Sequence, residues 1–286
     1  MSESQENKKG ETKNNEEIKE TKKRKGALVS DIPDMNIIYE KQPEFDRVNK
    51  FLEIFATILK HSNYQPILEQ YSKVSAKCGK CAAQCHVYEA TRDPKDIPCR
   101  RSELLLSVYR RYFSLEGSIY GRLFGGFELT EEHIDEMIYY FWNCTACRKC
   151  VLECPMGIDH GLITHLGRYI LSEMGLAPRA LVISTREQLQ GDTRNTSAIP
   201  LVALEDSLEF LEEEIEDDKG IKVKFPLDVE NPDYVFFAPV SDYMMEADTL
   251  MGIAVVLHEA GVNWTIPKQF YDSINYGLFY SDLVLG

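Results

Sequence analysis

Two runs of cysteine carry the clearest chemistry in this 286-residue chain. The second reads CTACRKCVLECP, which places Cys144, Cys147, Cys150 and Cys154 ahead of Pro155 in the spacing C-x2-C-x2-C-x3-C-P. Thiolates are soft ligands, and this is the bacterial ferredoxin spacing for a [4Fe–4S] cluster. Three thiolates two residues apart on a tight loop wrap three corners of a cubane. The fourth cysteine points away to a second cluster, and the proline turns the chain. The first run reads CGKCAAQCH, from Cys78 through Cys81 and Cys85 to His86. Set in the same frame, it has Ser75 where the first cysteine belongs and His86 where the proline belongs. Cys99, fourteen positions after Cys85, replaces the lost ligand, so that four plus four thiols suffice for two [4Fe–4S] clusters.

Two ligand assignments compete. In two-cluster ferredoxins the last cysteine of each motif serves the other cluster. On that rule one cluster takes Cys78, Cys81, Cys99 and Cys154, and the other takes Cys144, Cys147, Cys150 and Cys85. A sequential assignment would group Cys78, Cys81, Cys85 and Cys99, then Cys144, Cys147, Cys150 and Cys154. The cross-over is our expectation, because the frame is otherwise preserved. Zinc is the rival chemistry, but a zinc ribbon shows paired C-x2-C knuckles and has no use for the third cysteine or the proline.

Lys77, Lys80, Arg100, Arg101, Arg110, Arg111, Arg148 and Lys149 crowd these motifs. A four-thiolate cluster is negative, so nearby cations raise its potential. Most of these side chains read as solvated loop charges; Arg100 and Arg101, next to Cys99, are the better candidates. His86 reads as a half-buried polar residue, or as one that hydrogen-bonds or replaces a ligand. His133, His160 and His165 lack H-E-x-x-H spacing. There is no G-x-G-x-x-G, Walker or G-x-S-x-G motif. The chemistry on view is electron transfer, and no catalytic residue is assigned.

The motifs need a frame. Val48, Phe51, Leu52, Phe55, Ile58 and Leu59 recur at helical spacing. Leu104, Leu105, Val108, Tyr109 and Tyr112 predict a helix just after Cys99. Thr130 caps a third helix, with Ile134, Met137, Ile138 and Phe141 on its apolar face, running into Cys144. Leu162, Leu166 and Ile170 mark a fourth, ended by Gly175. The cysteine loops thus join helices of a ferredoxin-like domain over residues 40–180.

Around this domain the composition changes. Residues 1–26 have Ile18 as their one strongly apolar residue after Met1, and read as a disordered charged tail without a secretory h-region. Residues 181–220 read as an acidic connector, with nine acidic residues between Glu205 and Asp218 and with Leu204, Leu208, Leu211 and Ile215 at helical spacing. From 221 to 286 the pattern is strand (234–238), helix (247–260), strand (262–266), the start of a parallel α/β (βαβ) domain. One such unit cannot close a sheet, so this domain is expected to be incomplete. The fold class is therefore mainly α with an incomplete α/β domain after it. A formal charge of −14 argues against a nucleic-acid binder. No apolar run is long enough to span a membrane. Eight cysteines without an export signal point to metal ligation in the cytoplasm rather than disulfides.

The runs CGKCAAQCHVYEATRDPKDIPCRRSELL and CTACRKCVLECPMGID resemble the iron–sulfur subunits of the heterodisulfide reductase family. The likeness is above all to members found in membrane-bound respiratory complexes of anaerobes, including the sulfite-reductase-associated one. It is strong over residues 40–180 and weaker over 230–286. It implies an electron-relay subunit at the inner face of the cytoplasmic membrane, with other redox subunits and a cytochrome b-type membrane subunit as partners. In that family, electrons pass on to domains with CCG signatures that act on disulfides. Residues 234–266 look like the start of such a domain, in degenerate form: Ala238 to Ser241 hold no cysteine, and no CCG follows by Gly286. The relay role is therefore the one carried over. The alternatives are a disulfide reductase whose CCG domain lies further on, and the iron–sulfur subunit of a glycolate- or glycerol-phosphate-type dehydrogenase.

Overall fold

The computed structural model describes residues 46–114 and 126–276; the charged tail expected over residues 1–26 lies outside them. The described residues divide into two compact units after Leu176. They are mainly helical, and among them no helix is long and apolar enough to cross a membrane.

The first unit is built from helices whose apolar stripes face inward. Helix α1 (Arg47–His61) starts at Asp46, whose carboxylate accepts from the Asn49 amide at 3.1 Å, and buries Phe51, Phe55, Ile58 and Leu59. Helix α2 (Tyr64–Val74) ends at Ser75. A short turn (Lys80–Gln84) and helix α3 (His86–Thr91) follow. Helix α4 (Pro98–Tyr112) opens with a proline in its first turn, where the missing N–H costs nothing, and sets Cys99 there as well. Helix α5 (Glu131–Trp142) is capped at Thr130, whose amide donates to His133 Nδ1 at 3.3 Å. After the one-turn helix α6 (Lys149–Leu152) comes helix α7 (His160–Glu173), capped by Asp159 accepting from Leu162 N at 2.9 Å. Gly175 follows with φ +75°, and Leu176 N returns to Leu171 O at 2.8 Å, closing the helix as a left-handed cap.

Helices α4, α5 and α7 pack on one another and form the centre of this unit. The contact between α5 and α7 depends on Gly167. A Cβ there would overlap the Phe141 ring, three residues before Cys144. Gly167→Ala is therefore expected to destabilise the unit by about 1–3 kcal/mol through overpacking. The check is the thermal midpoint of the anaerobic protein, and a wild-type midpoint would show that the ring moves aside freely.

The second unit holds helices α8 (Arg179–Gln190), α9 (Leu201–Lys219), α10 (Val240–Met245) and α11 (Ala247–Glu259). Its strands β1 (Tyr234–Val235) and β2 (Trp264–Thr265) pair in parallel, Tyr234 opposite Trp264 and Val235 opposite Thr265. Residues 181–220, read from the sequence as a connector, belong to the body of this unit. Leu204, Leu208, Leu211 and Ile215 of α9 sit in one core with Phe225, Tyr243, Leu250, Trp264 and Tyr271. The acidic residues occupy the remaining faces of that helix. Strand β1 is shorter than the apolar run that predicts it, and Tyr234 and Val235 are exposed rather than buried. An unbroken apolar run implies cover on both faces; among the described residues β1 pairs with β2 alone. Pro239 ends the run and opens α10, so two helices rather than one lie between the strands.

Candidate metal centre

The two cysteine loops share one backbone plan. Lys77 (φ 51°) and Gly79 (φ 77°) bracket Cys78, and Ala146 (φ 57°) and Arg148 (φ 57°) bracket Cys147. These are the same frame positions, with Ser75 matching Cys144 and Cys81 matching Cys150. Left-handed residues on either side of the middle cysteine curl each loop, and three of the four are not glycine, so each carries strain that the surrounding structure must hold. Beyond each curl comes a helical turn, Lys80–Gln84 in one loop and α6 in the other, and these two turns pack together. Across the pair, Thr145 Oγ1 and His86 Nε2 lie 2.9 Å apart. His86 is thus an exposed clasp between the loops.

All eight cysteines are free thiols; Cys81, Cys85, Cys99, Cys144 and Cys150 are buried, and Cys78 and Cys147 are exposed. Cys78, Cys81, Cys99 and Cys154 line one pocket, together with Ser75 and His160. Cys150 packs against Cys81 and Cys99 in one buried cluster with Ile97 and Val151. Its thiol is pushed up to about 11, first by burial and then by the charges of Cys144, Cys85 and Cys147, with Arg101 opposing. Cys81 and Cys99 are hydrogen-bonded side chain to side chain. The bond from Cys81 pulls Cys99 down to about 6, and the same bond pushes Cys81 well up. Backbone amides also reach the sulfurs: Cys99 N to Cys81 Sγ, Ala146 N to Cys144 Sγ and Ile158 N to Cys154 Sγ, each at 3.4 Å. The thiols surround spaces rather than a point; among the described residues no three His, Cys, Asp or Glu side chains are grouped to hold a single ion. Eight thiols on these loops, with amide donors at three of the sulfurs, fit iron–sulfur ligation.

The basic residues separate by burial. Lys77 pairs with Glu103 at 2.6 Å, Arg110 pairs with the same carboxylate, and Arg148 pairs with Asp159. Lys80, Arg100 and Lys149 are exposed, whereas Arg101 is buried. Gly161, lacking a Cβ, lets the Arg148 stem pass the start of α7 on its way to Asp159. Arg168 did not stand out in the sequence. It is fully buried, its Nε and Nη2 donate to Phe141 O at 3.0 and 2.8 Å, and Nη2 also donates to Cys144 O. It therefore fixes the backbone where α5 becomes the second loop, and burial pulls it down to about 10. No local pattern singles it out, because the same helix also carries His160, His165 and Glu173. His160 is buried with Nδ1 3.0 Å from Ser102 Oγ; burial first, and then the Arg101 charge, push it down to about 4.

Residues 76–158 match the family model described as a 4Fe-4S dicluster domain, which defines the class: a dicluster iron–sulfur protein. Among curated proteins, the chain is 32% identical over 223 residues to "Hdr-like menaquinol oxidoreductase iron-sulfur subunit 2" of Archaeoglobus fulgidus. It is 32% identical over 219 residues to "Hdr-like menaquinol oxidoreductase iron-sulfur subunit" of Archaeoglobus profundus. Each match covers 74% of this chain and 39% of the relative. Over about three quarters of its length the chain is thus similar to Hdr-like (heterodisulfide reductase-like) iron–sulfur subunits. It spans about two fifths of the length of the curated relatives it matches. No solved structure matches it.

Proposed function

We propose that the chain relays electrons through two [4Fe–4S] clusters inside an Hdr-like, membrane-associated complex of anaerobic respiration. The observation that carries this reading is the cavity that Cys154 of the second motif shares with Cys78, Cys81 and Cys99 and that Cys85 does not line. It supports the cross-over ligand sets over the sequential ones. A [4Fe–4S] cluster supplies one-electron redox chemistry. The work of the chain is to curl two loops around the sulfurs, direct amides at them and exclude water with α4, α5 and α7. The names of the relatives point to electrons that originate in a menaquinol. The reading therefore extends to other redox subunits as partners, a cytochrome b-type membrane subunit among them, and to a peripheral position at the inner face of the membrane. The parallel β1–β2 pair supports reading the second unit as α/β.

Counting iron and acid-labile sulfide after anaerobic purification tests the core of the proposal. About eight of each per chain, with reduced-state EPR signals of two interacting clusters, is the expected result. A loaded protein with one or two zinc ions and no iron would overturn it.

A further inference from the structure

His160 opens α7 and is 2% exposed, and it lines the pocket that holds Cys78, Cys81, Cys99 and Cys154. Its Nδ1 lies 3.0 Å from the hydroxyl of Ser102, which α4 carries three residues after Cys99. Ser102 is 1% exposed, and this is its one side-chain hydrogen bond among the described residues. Ser102 does not line the pocket, so its contact leaves the Nε2 edge of the imidazole to that space. Nε2 has no partner among the described residues. Buried this deeply, the ring is neutral and has a single N–H. On Nδ1, that proton would point at Ser102 Oγ, strand the hydroxyl proton in the interior and turn a bare Nε2 lone pair towards the thiols. On Nε2, it lets the hydroxyl donate to Nδ1 and leaves an N–H facing the pocket in need of an acceptor. Among the lining side chains Lys77 is a cation, and Ser75 and Met156 are neutral. The four cysteines become thiolates on ligation, and an anionic acceptor takes the stronger hydrogen bond.

We propose that Ser102 and His160 act as a pair on the first ligand set: the hydroxyl fixes the tautomer, and His160 Nε2 donates a hydrogen bond to sulfur of the cluster on Cys78, Cys81, Cys99 and Cys154, raising its potential. The inference rests on the two-cluster reading above. A donor stabilises the reduced cluster more than the oxidised one, because reduction adds negative charge at the sulfurs.

The test is an EPR-monitored redox titration of the anaerobically purified full chain as wild type, His160→Leu, His160→Gln and Ser102→Ala, with Cys81→Ser marking the signal of the first set. His160→Leu is expected to lower the ratio of reduced to oxidised cluster in that signal by about tenfold at a fixed ambient potential, a downward shift of about 59 mV for a one-electron couple. The other signal should move far less. His160→Gln, which keeps an N–H donor on a side chain of similar reach, should stay close to wild type. Ser102→Ala, which frees the tautomer, should lie between His160→Leu and wild type. Loss of the first cluster from His160→Leu, with His160→Gln loaded and at the wild-type potential, would also support the pair. An unchanged ratio in His160→Leu, identical Gln and Leu variants, equal shifts of both signals, or a Ser102→Ala chain identical to wild type would each overturn it. So would loss of the cluster from both His160 variants, because a donor role tolerates another donor. Wild-type protein without iron would sink the two-cluster reading itself, whereas an iron-replete wild type with an indifferent His160→Leu chain sinks this inference alone.

Discussion

Cys154→Ser is expected to disturb the cluster that Cys78→Ser, Cys81→Ser and Cys99→Ser disturb, and to leave intact the signal altered by Cys144→Ser. Cys154 ends the second motif, so proximity in sequence argues for the opposite result. The fold argues otherwise. Cys154 lines the same cavity as Cys78, Cys81 and Cys99, and its sulfur is held by the Ile158 amide at 3.4 Å. Cys85, which ends the first motif, is felt instead at Cys150 on the second loop. Where serine fails as a ligand, iron content should fall from about eight to about four per chain. EPR spectra of the single variants, grouped by which signal each one changes, provide the check. Cys154→Ser grouping with Cys144→Ser would restore the sequential assignment.

Asp272→Ala is expected to cost the second unit about 3–5 kcal/mol, the range for stripping a buried charge from its partners. The Asp272 carboxylate is buried and accepts from Thr196 N at 2.8 Å, Thr196 Oγ1 at 2.6 Å, and the Val240 and Ile274 amides at 3.0 Å each. It ties the segment before α9, the start of α10 and the segment after β2 to one point. Alanine would leave three buried donors and the half-buried Ile274 amide without this acceptor, and the desolvation penalty of the buried ones would go uncompensated. Urea unfolding followed by circular dichroism should show the loss, with iron content unchanged because every cysteine lies in the other unit. An unshifted transition would mean that the four donors find other acceptors.

The site was far more legible in the sequence than its supports. Cluster ligation fixes cysteine spacing, so Ser75 and His86 could be read as departures from a frame, and the structure repeats that frame in its left-handed residues. Helix stripes were equally plain, because period and burial are linked. Gly167 and Arg168 were not, since one acts through the absence of a Cβ against Phe141 and the other through carbonyls 24 to 27 residues away in sequence. Such long-range contacts leave no local pattern. The acidic residues of α9 hid a core helix for a related reason: four apolar side chains on one face suffice to bury it, whatever the other faces carry. The run at 234–238 misled in the other direction, because apolar content signals a strand without saying how much of it will be covered.

The crossed ligand sets proposed above have a consequence for how the protein is made. Cys78, Cys81 and Cys85 leave the ribosome well before Cys144, which follows Cys85 by 59 residues. At roughly 5–20 residues per second, that gap amounts to several seconds. With crossed sets, neither group of four thiols is complete until Cys150 and then Cys154 have emerged. The early cysteines must wait as free thiols, and inorganic loading becomes a late, nearly simultaneous event. A chain cut between the two loops would contain no complete ligand set at all.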